Sequence, residues 1–179
     1  MSYIKNSIDE DTCAEEPSQG SKHARLAPSS AHRWMNCSGS VNLSLRSPQQ
    51  EDSPSSREGT AAHALLEKCL LEIHNPHGFV GSEINGVTVT DEMASGVLLA
   101  LDYVIKKRTE MGGVVEVETR LDLYEIHPDI FGTLDISVFK KGARLVIADF
   151  KYGLSKVDVR ENKQLLTLSL IHISEPTRL

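Results

Sequence analysis

The stretch Thr133–Lys151, TLDISVFKKGARLVIADFK, constrains the fold of this chain more than any other. Two runs with recurring apolar residues flank a Lys-Gly turn, the pattern of an antiparallel hairpin. With Lys141, Gly142 and Ala143 as a three-residue loop, Lys140 pairs with Arg144 and Phe139 with Leu145. Counting outward in that register sets Asp135 opposite Asp149. Paired side chains on adjacent strands are close neighbours, so both carboxylates come within reach of one ion. Lys151 projects on the same face as Asp149, because alternate strand residues do.

Two like charges side by side in a sheet repel and are costly to desolvate, and a cation between them relieves both costs. Oxygen ligands of this kind suit Mg²⁺ or Mn²⁺. A neighbouring lysine orients or helps deprotonate water and offsets charge developing on a phosphate. A solvent-facing polar hairpin carries similar letters, so on these residues alone both readings stand.

The rest of the chain supplies helices and one more long strand. Ser29 or Ser30 is placed to cap a short helix from Ala31 to Asn36. RSPQQEDSPSS, which follows, reads as a polar loop. Ser55 and Glu58 have capping-box spacing, and Ala62, Leu65, Leu66, Cys69, Leu70 and Ile73 recur at helical intervals until Asn75-Pro76. A second helix is predicted from Thr90 to about Glu110, with Met93, Val97, Leu101, Val104 and Ile105 as its stripe. After Gly112-Gly113 the period changes. Val114–Leu123 alternates, with Val115, Val117 and Thr119 on one face and Glu116 and Glu118 on the other. Val157 and Val159 suggest a short fourth strand of the meander, and Asn162 opens a helix. Helices, then strands, then a helix imply an α/β fold with a mixed central sheet flanked by helices.

Three further polar residues bear on the site. His63 lies on the first long helix and shares an edge with Leu66 and Leu70; a histidine there is either a packed side chain or a nitrogen ligand that tilts preference toward Mn²⁺. Glu118 is either a further ligand or the partner of Arg120 or a lysine. Gln164, on the last helix, is uninformative alone.

Composition excludes more than it selects. A length of 179 residues suits one domain with a real core. No apolar run is long enough to cross a bilayer, so no membrane partner is expected. Residues 1–21 are acidic and lack the order of a secretory signal, implying a disordered lead-in and a cytoplasmic location. Cys13, Cys37 and Cys69 are widely spaced and form no CxxC pair, so neither a zinc site nor a disulfide framework is indicated. The net charge of −6 neither supports nor excludes DNA, because carboxylates that hold divalent ions invert the local field.

Leu168–Arg178, LSLIHISEPTR, resembles the in-frame translation of a transposon-type sequencing-library adapter. The expected native core therefore spans residues 22–167 as the front part of a longer protein, with 168–179 a non-native tail.

Taken in order, EGTAAH (Glu58–His63), GTLD (Gly132–Asp135), ADFK (Ala148–Lys151) and the following Gln164 resemble the RecB-like branch of the PD-(D/E)xK nucleases. HARLAPSSAHRWMNCSGS (His23–Ser40), VETRLDL (Val117–Leu123) and HPDIFGTLD (His127–Asp135) resemble a phage- and prophage-associated group catalogued as a domain of unknown function. The likeness covers about residues 22–167. It implies a restriction-endonuclease-like core and metal-dependent hydrolysis of DNA, with phage recombination or replication proteins as partners. It implies His63, Asp135 and Asp149 as ligands, the Phe150 carbonyl as another, Lys151 as the catalytic lysine and Gln164 as a substrate-positioning residue. The tyrosine expected four residues after Gln164 is replaced by Leu168, at the start of the adapter-like stretch. An iron–sulfur cluster, with Cys37 as its early ligand, is not supported by the visible sequence. A non-catalytic DNA-binding or assembly module on the same fold is the alternative, because fold and family do not establish chemistry.

Overall fold

The computed structural model describes residues 24–48, 51–153, 157–158 and 160–170. Helix α1 (Ala31–Trp34) follows a 3-10 turn at Pro28–Ser30 and is shorter than expected. Ser30 does not cap it with its side chain; the hydroxyl donates back to the Ala27 carbonyl, as does the Trp34 indole, each at 3.0 Å. Helix α2 (Gly39–Arg46) was not anticipated. It buries no residue, so it lacks the core-facing stripe by which a helix announces itself.

Helix α3 (Pro54–Glu72) begins earlier than the capping-box reading placed it. Its cap is Ser53, whose hydroxyl accepts the Ser56 N–H at 3.1 Å, and Ser55 is already helical. Pro54 explains the shift: its fixed φ and missing N–H suit the first helical position. The helix ends at Ile73, whose φ of 57° is left-handed. A 3-10 turn at Pro76–Phe79 leads into the hairpin β1 (Glu83–Ile84) and β2 (Val87–Thr88). Asn85 and Gly86 make its turn with φ of 51° and 75°, the positive-φ pair of a type I′ turn.

Helix α4 (Asp91–Met111) starts where expected, and Thr90 caps it by accepting the Met93 N–H at 3.1 Å. Met93, Val97, Leu101 and Val104 are buried, whereas Ile105 lies beyond the stripe's edge and is 47% exposed.

The three long strands, β3 (Val114–Asp122), β4 (Phe131–Lys140) and β5 (Arg144–Ala148), form one antiparallel sheet in the order β3-β4-β5. Short links between consecutive strands permit only this arrangement, so among the described residues the α/β fold has no parallel pair and its central sheet is not mixed. Gly113 is obligatory at the entry to β3, because an added Cβ would stand 2.6 Å from the Phe139 carbonyl oxygen.

The β4–β5 register is the one the turn implies, with Phe139 opposite Leu145 and Lys140 opposite Arg144. Regular pairing ends at Ile136–Ala148, so β5 does not reach Lys151. Val157 is not in a strand and is exposed, and Val159 lies outside the described residues. Alternation along β5 divides the core. Val146 and Ala148 pack with the buried faces of α3 and α4, together with Ile136 and Val138. Leu145 and Ile147 pack against a smaller cluster of Leu121, Leu134 and Leu168. Leu168 belongs to α5 (Lys163–Ser169), which Asn162 caps by accepting the Leu165 N–H at 3.0 Å.

Helix α5 therefore runs past the expected boundary at Thr167. Residues 1–21 and 171–179, assigned to a lead-in and to the tail, lie outside the described residues. Among the described residues no helix is long and apolar enough to cross a membrane.

Leu65 is fully buried between α3 and its neighbours, whereas Leu71, on the same helix, is 67% exposed. Leu65→Ala is expected to cost about 2–5 kcal/mol in urea unfolding. Leu71→Ala should stay within about 0.5 kcal/mol of the parent.

Candidate metal centre

The centre lies where α3 crosses the middle of the sheet. His63 sits on the α3 ridge Ser56–Gly59–Thr60–His63–Glu67, residues three and four apart that share one side of the helix. Its ring contacts Phe150, with centroids 5.3 Å apart and planes inclined at 60°. Across from it stand Asp135 of β4 and Glu118 of β3. One ligand atom from each of His63, Glu118 and Asp135 falls within 4.8 Å of the others. They line a cleft of about 560 Å³ with Lys151, Tyr152 and Asn85 of the β1–β2 turn.

The backbone departs from regularity at this point. Glu118 has a φ of 47° and drops out of the β3–β4 ladder, which resumes in the same register on either side. A left-handed glutamate in a strand costs roughly 1–3 kcal/mol. The break leaves Asp135 unpaired on the β3 side. On the β5 side its Oδ2 accepts the Phe150 N–H at 2.8 Å, replacing the next rung of the ladder. Asp149 thus falls just past the end of β5. Its side chain is 8% exposed; Lys151 Nζ lies 2.7 Å from Oδ2, and Gln164 Nε2 donates to Oδ1 at 2.6 Å.

Charge is crowded here. Burial first, and then the neighbouring Asp149, push the Asp135 carboxyl above its ordinary range; His63, the Phe150 N–H and Lys151 offset part of the effect. Glu118 is also pushed up, first by desolvation and then by Asp135, with His63 opposing. His63 Nδ1 stands 3.6 Å from Asp135 Oδ2, too far for a hydrogen bond and close enough for electrostatic attraction. A nitrogen and two carboxylates whose ionised forms are disfavoured as they stand are a donor set that suits a small divalent cation.

Residues 23–177 match a family described as protein of unknown function, DUF2800. The chain belongs to that family. No solved structure matches it. The DUF2800 match spans every residue of the centre, from His63 to Gln164.

The structure brings His63 and Asp135 together and adds Glu118, which the sequence left between a ligand and the partner of Arg120. Arg120 in fact bonds Asp122, Nε to Oδ1 at 3.1 Å. Asp149 lies outside the three-residue cluster, beside it and held by Lys151 and Gln164. Phe150 contributes its ring to His63 and its N–H to Asp135. Asn85 was missed, although Asn-Gly between two short apolar runs is a strong hairpin signal. Tyr152 was missed as well. It packs on α4 at Gly96, where an added Cβ would stand 3.3 Å from its ring, and so anchors the segment that carries Lys151.

A raised carboxyl stabilises the fold below the ordinary carboxylate range and loses that contribution as pH rises through its raised value. The metal-free DUF2800 chain therefore loses stability at both carboxyls as pH rises out of the acid range. Glu118→Gln should raise the melting temperature without metal at pH 7, and the gain should shrink in acid. Mn²⁺ at about 100 times Kd should stabilise the parent by about 2.7 kcal/mol, roughly 5–10 °C. Glu118→Gln and Asp135→Asn should lose most of that response in thermal unfolding.

Proposed function

We propose that this chain is a divalent-metal-dependent deoxyribonuclease, exonuclease-like in action and of phage or prophage origin, working in the cytoplasm of a bacterium or infected host. The observation that carries this reading is the convergence of His63, Glu118 and Asp135 on one cleft, with the Lys151–Asp149 ion pair beside them. The order of motifs shared with RecB-like PD-(D/E)xK nucleases adds to it.

His63, Glu118 and Asp135 would hold the ion, with Asp149 next to them. Mg²⁺ or Mn²⁺ bound there supplies Lewis acidity toward a phosphoryl oxygen and lowers the pKa of water. The chain's own residues do the rest. The Phe150 ring keeps His63 facing the cleft. Gln164 fixes one oxygen of Asp149 and so orients the other toward Lys151. The Lys151 ammonium, on the cleft wall, counters negative charge that builds on a phosphate in the transition state. Tyr152 and Gly96 hold that wall against α4. DNA is the partner this chemistry serves, with phage recombination or replication proteins around it.

The test is cleavage of linear single- and double-stranded DNA with Mn²⁺ and with Mg²⁺. The parent should cut, and Asp135→Ala, Asp149→Ala and Lys151→Ala should each lower the rate by about 10²-fold or more. Folded parent protein that binds DNA and cuts it with neither metal would instead establish the non-catalytic DNA-binding reading.

A further inference from the structure

A second, smaller cleft of about 190 Å³ adjoins the metal centre, bounded by Pro28, Ser29, Arg120, Phe131, Thr133 and Gln164. Three features tie it to the centre. Arg120 and Thr133 are partners in the β3–β4 ladder, two residues along each strand from Glu118 and Asp135. Strand geometry separates such positions by about 6.7 Å, comparable with the step between successive phosphates of an extended nucleic-acid strand. Gln164 belongs to both places, since it lines this cleft and its amide holds Asp149.

The cleft is built for an anion. The Arg120 guanidinium lies over the Phe131 ring, 4.8 Å from its centroid, and its Nε is tied to Asp122. The guanidinium also bonds the Tyr124 side chain; an arginine stacked and tethered in this way is held in place, and the remaining N–H groups of its fork are left for an outside acceptor. The Ser29 and Thr133 hydroxyls and the Gln164 amide can add neutral donors. Close packing shapes the floor: a Cβ on Gly132 would stand 3.0 Å from the Pro28 ring, so the strand and the turn before α1 meet only through glycine.

We infer that this cleft is a phosphate subsite, which binds the phosphodiester next to the one at the metal centre and sets the strand's position along β3 and β4. The inference rests on the nuclease reading for which phosphate is cut, but not for whether the subsite binds. Arg120 is then a positioning residue that acts through the neighbouring phosphate.

The test uses the full chain with Ca²⁺, and labelled single-stranded oligonucleotides with one phosphodiester or with several, followed by fluorescence anisotropy across a salt series. Arg120→Ala should weaken binding of the longer strand about tenfold and reduce its salt slope by about 1, leaving the single-phosphodiester probe unchanged. Arg120→Lys should restore the salt slope. Thr133→Val, which leaves the charge in place, should weaken the longer strand without changing its slope. An Arg120→Ala protein with the parent's affinity and slope overturns the subsite, as does equal weakening of both probes or failure of the parent to bind any strand. Cleavage with Mn²⁺ is read separately. A parent that binds with an Arg120-dependent slope but does not cut refutes the nuclease reading and keeps the subsite.

Discussion

A backbone N–H that leaves its sheet must find another acceptor, and at Phe150 the acceptor is the Asp135 carboxylate, 2.8 Å away. The arrangement of the centre depends on that exchange. Had the ladder run one rung further, Asp135 and Asp149 would be ordinary neighbours on two regular strands. Instead β5 ends at Ala148, and the chain carries Asp149, Phe150 and Lys151 around Asp135 rather than alongside it. The aromatic ring reaches His63, and Lys151 folds back onto Asp149. One side-chain-to-backbone bond ends the strand and gathers the residues of the candidate centre.

Unfavourable terms are concentrated in the same place. Glu118 has left-handed backbone inside a strand, Asp135 and Glu118 repel each other across the broken rung, and Asp149 is nearly buried. Such features persist only where surrounding structure over-determines them. The surroundings here are the α3–α4 layer, with Leu65, Val97 and Val104 essentially fully buried, packed on Ile136 and Val138 of β4. Burial of a single leucine is worth about 1.5–3 kcal/mol, enough to offset one strained residue. Stability lost at the centre is thus recovered from packing a few residues away on the same strand.

What could be read in the sequence followed from periodicity and turn chemistry. The Lys-Gly-Ala loop set the register of β4 and β5, and with it the adjacency of Asp135 and Asp149. Thr90 and Asn162 were legible as helix starts because a short polar residue before an apolar stripe suits that place. Other features left less trace. Helix α2 buries nothing, so no stripe marked it. Ser53 was passed over because the capping box at Ser55 fitted a pattern, while Pro54 signalled the true first turn. The left-handed Glu118 has no sequence signature, since glutamate is an ordinary strand-surface residue, and without that turn of the backbone the sequence left Glu118 between a ligand and an ion-pair partner. The β1–β2 turn was different: Asn85-Gly86 carried the information in plain view.

Strand β4 also explains why the centre sits where it does. Leu134 packs into the cluster with Leu168 of α5, whereas Ile136, two residues on, packs into the α3–α4 core. Residues two apart on a regular strand share a face, so the sheet rotates between them, at Asp135 and opposite the left-handed Glu118. Asp135 is therefore the point where one core gives way to the other, and there a side chain from β4 can meet residues on both sides. His63 comes from the α3 side and Gln164, through Asp149, from the α5 side. Among the described residues the two supports are unequal, because the α5 cluster is much the smaller. Local opening follows the smaller buried core, so Gln164 and its hold on Asp149 should yield before His63 does. On the proposed subsite, a strand along Arg120 and Thr133 would press on that weaker side, where Gln164 lines the smaller cleft and holds Asp149.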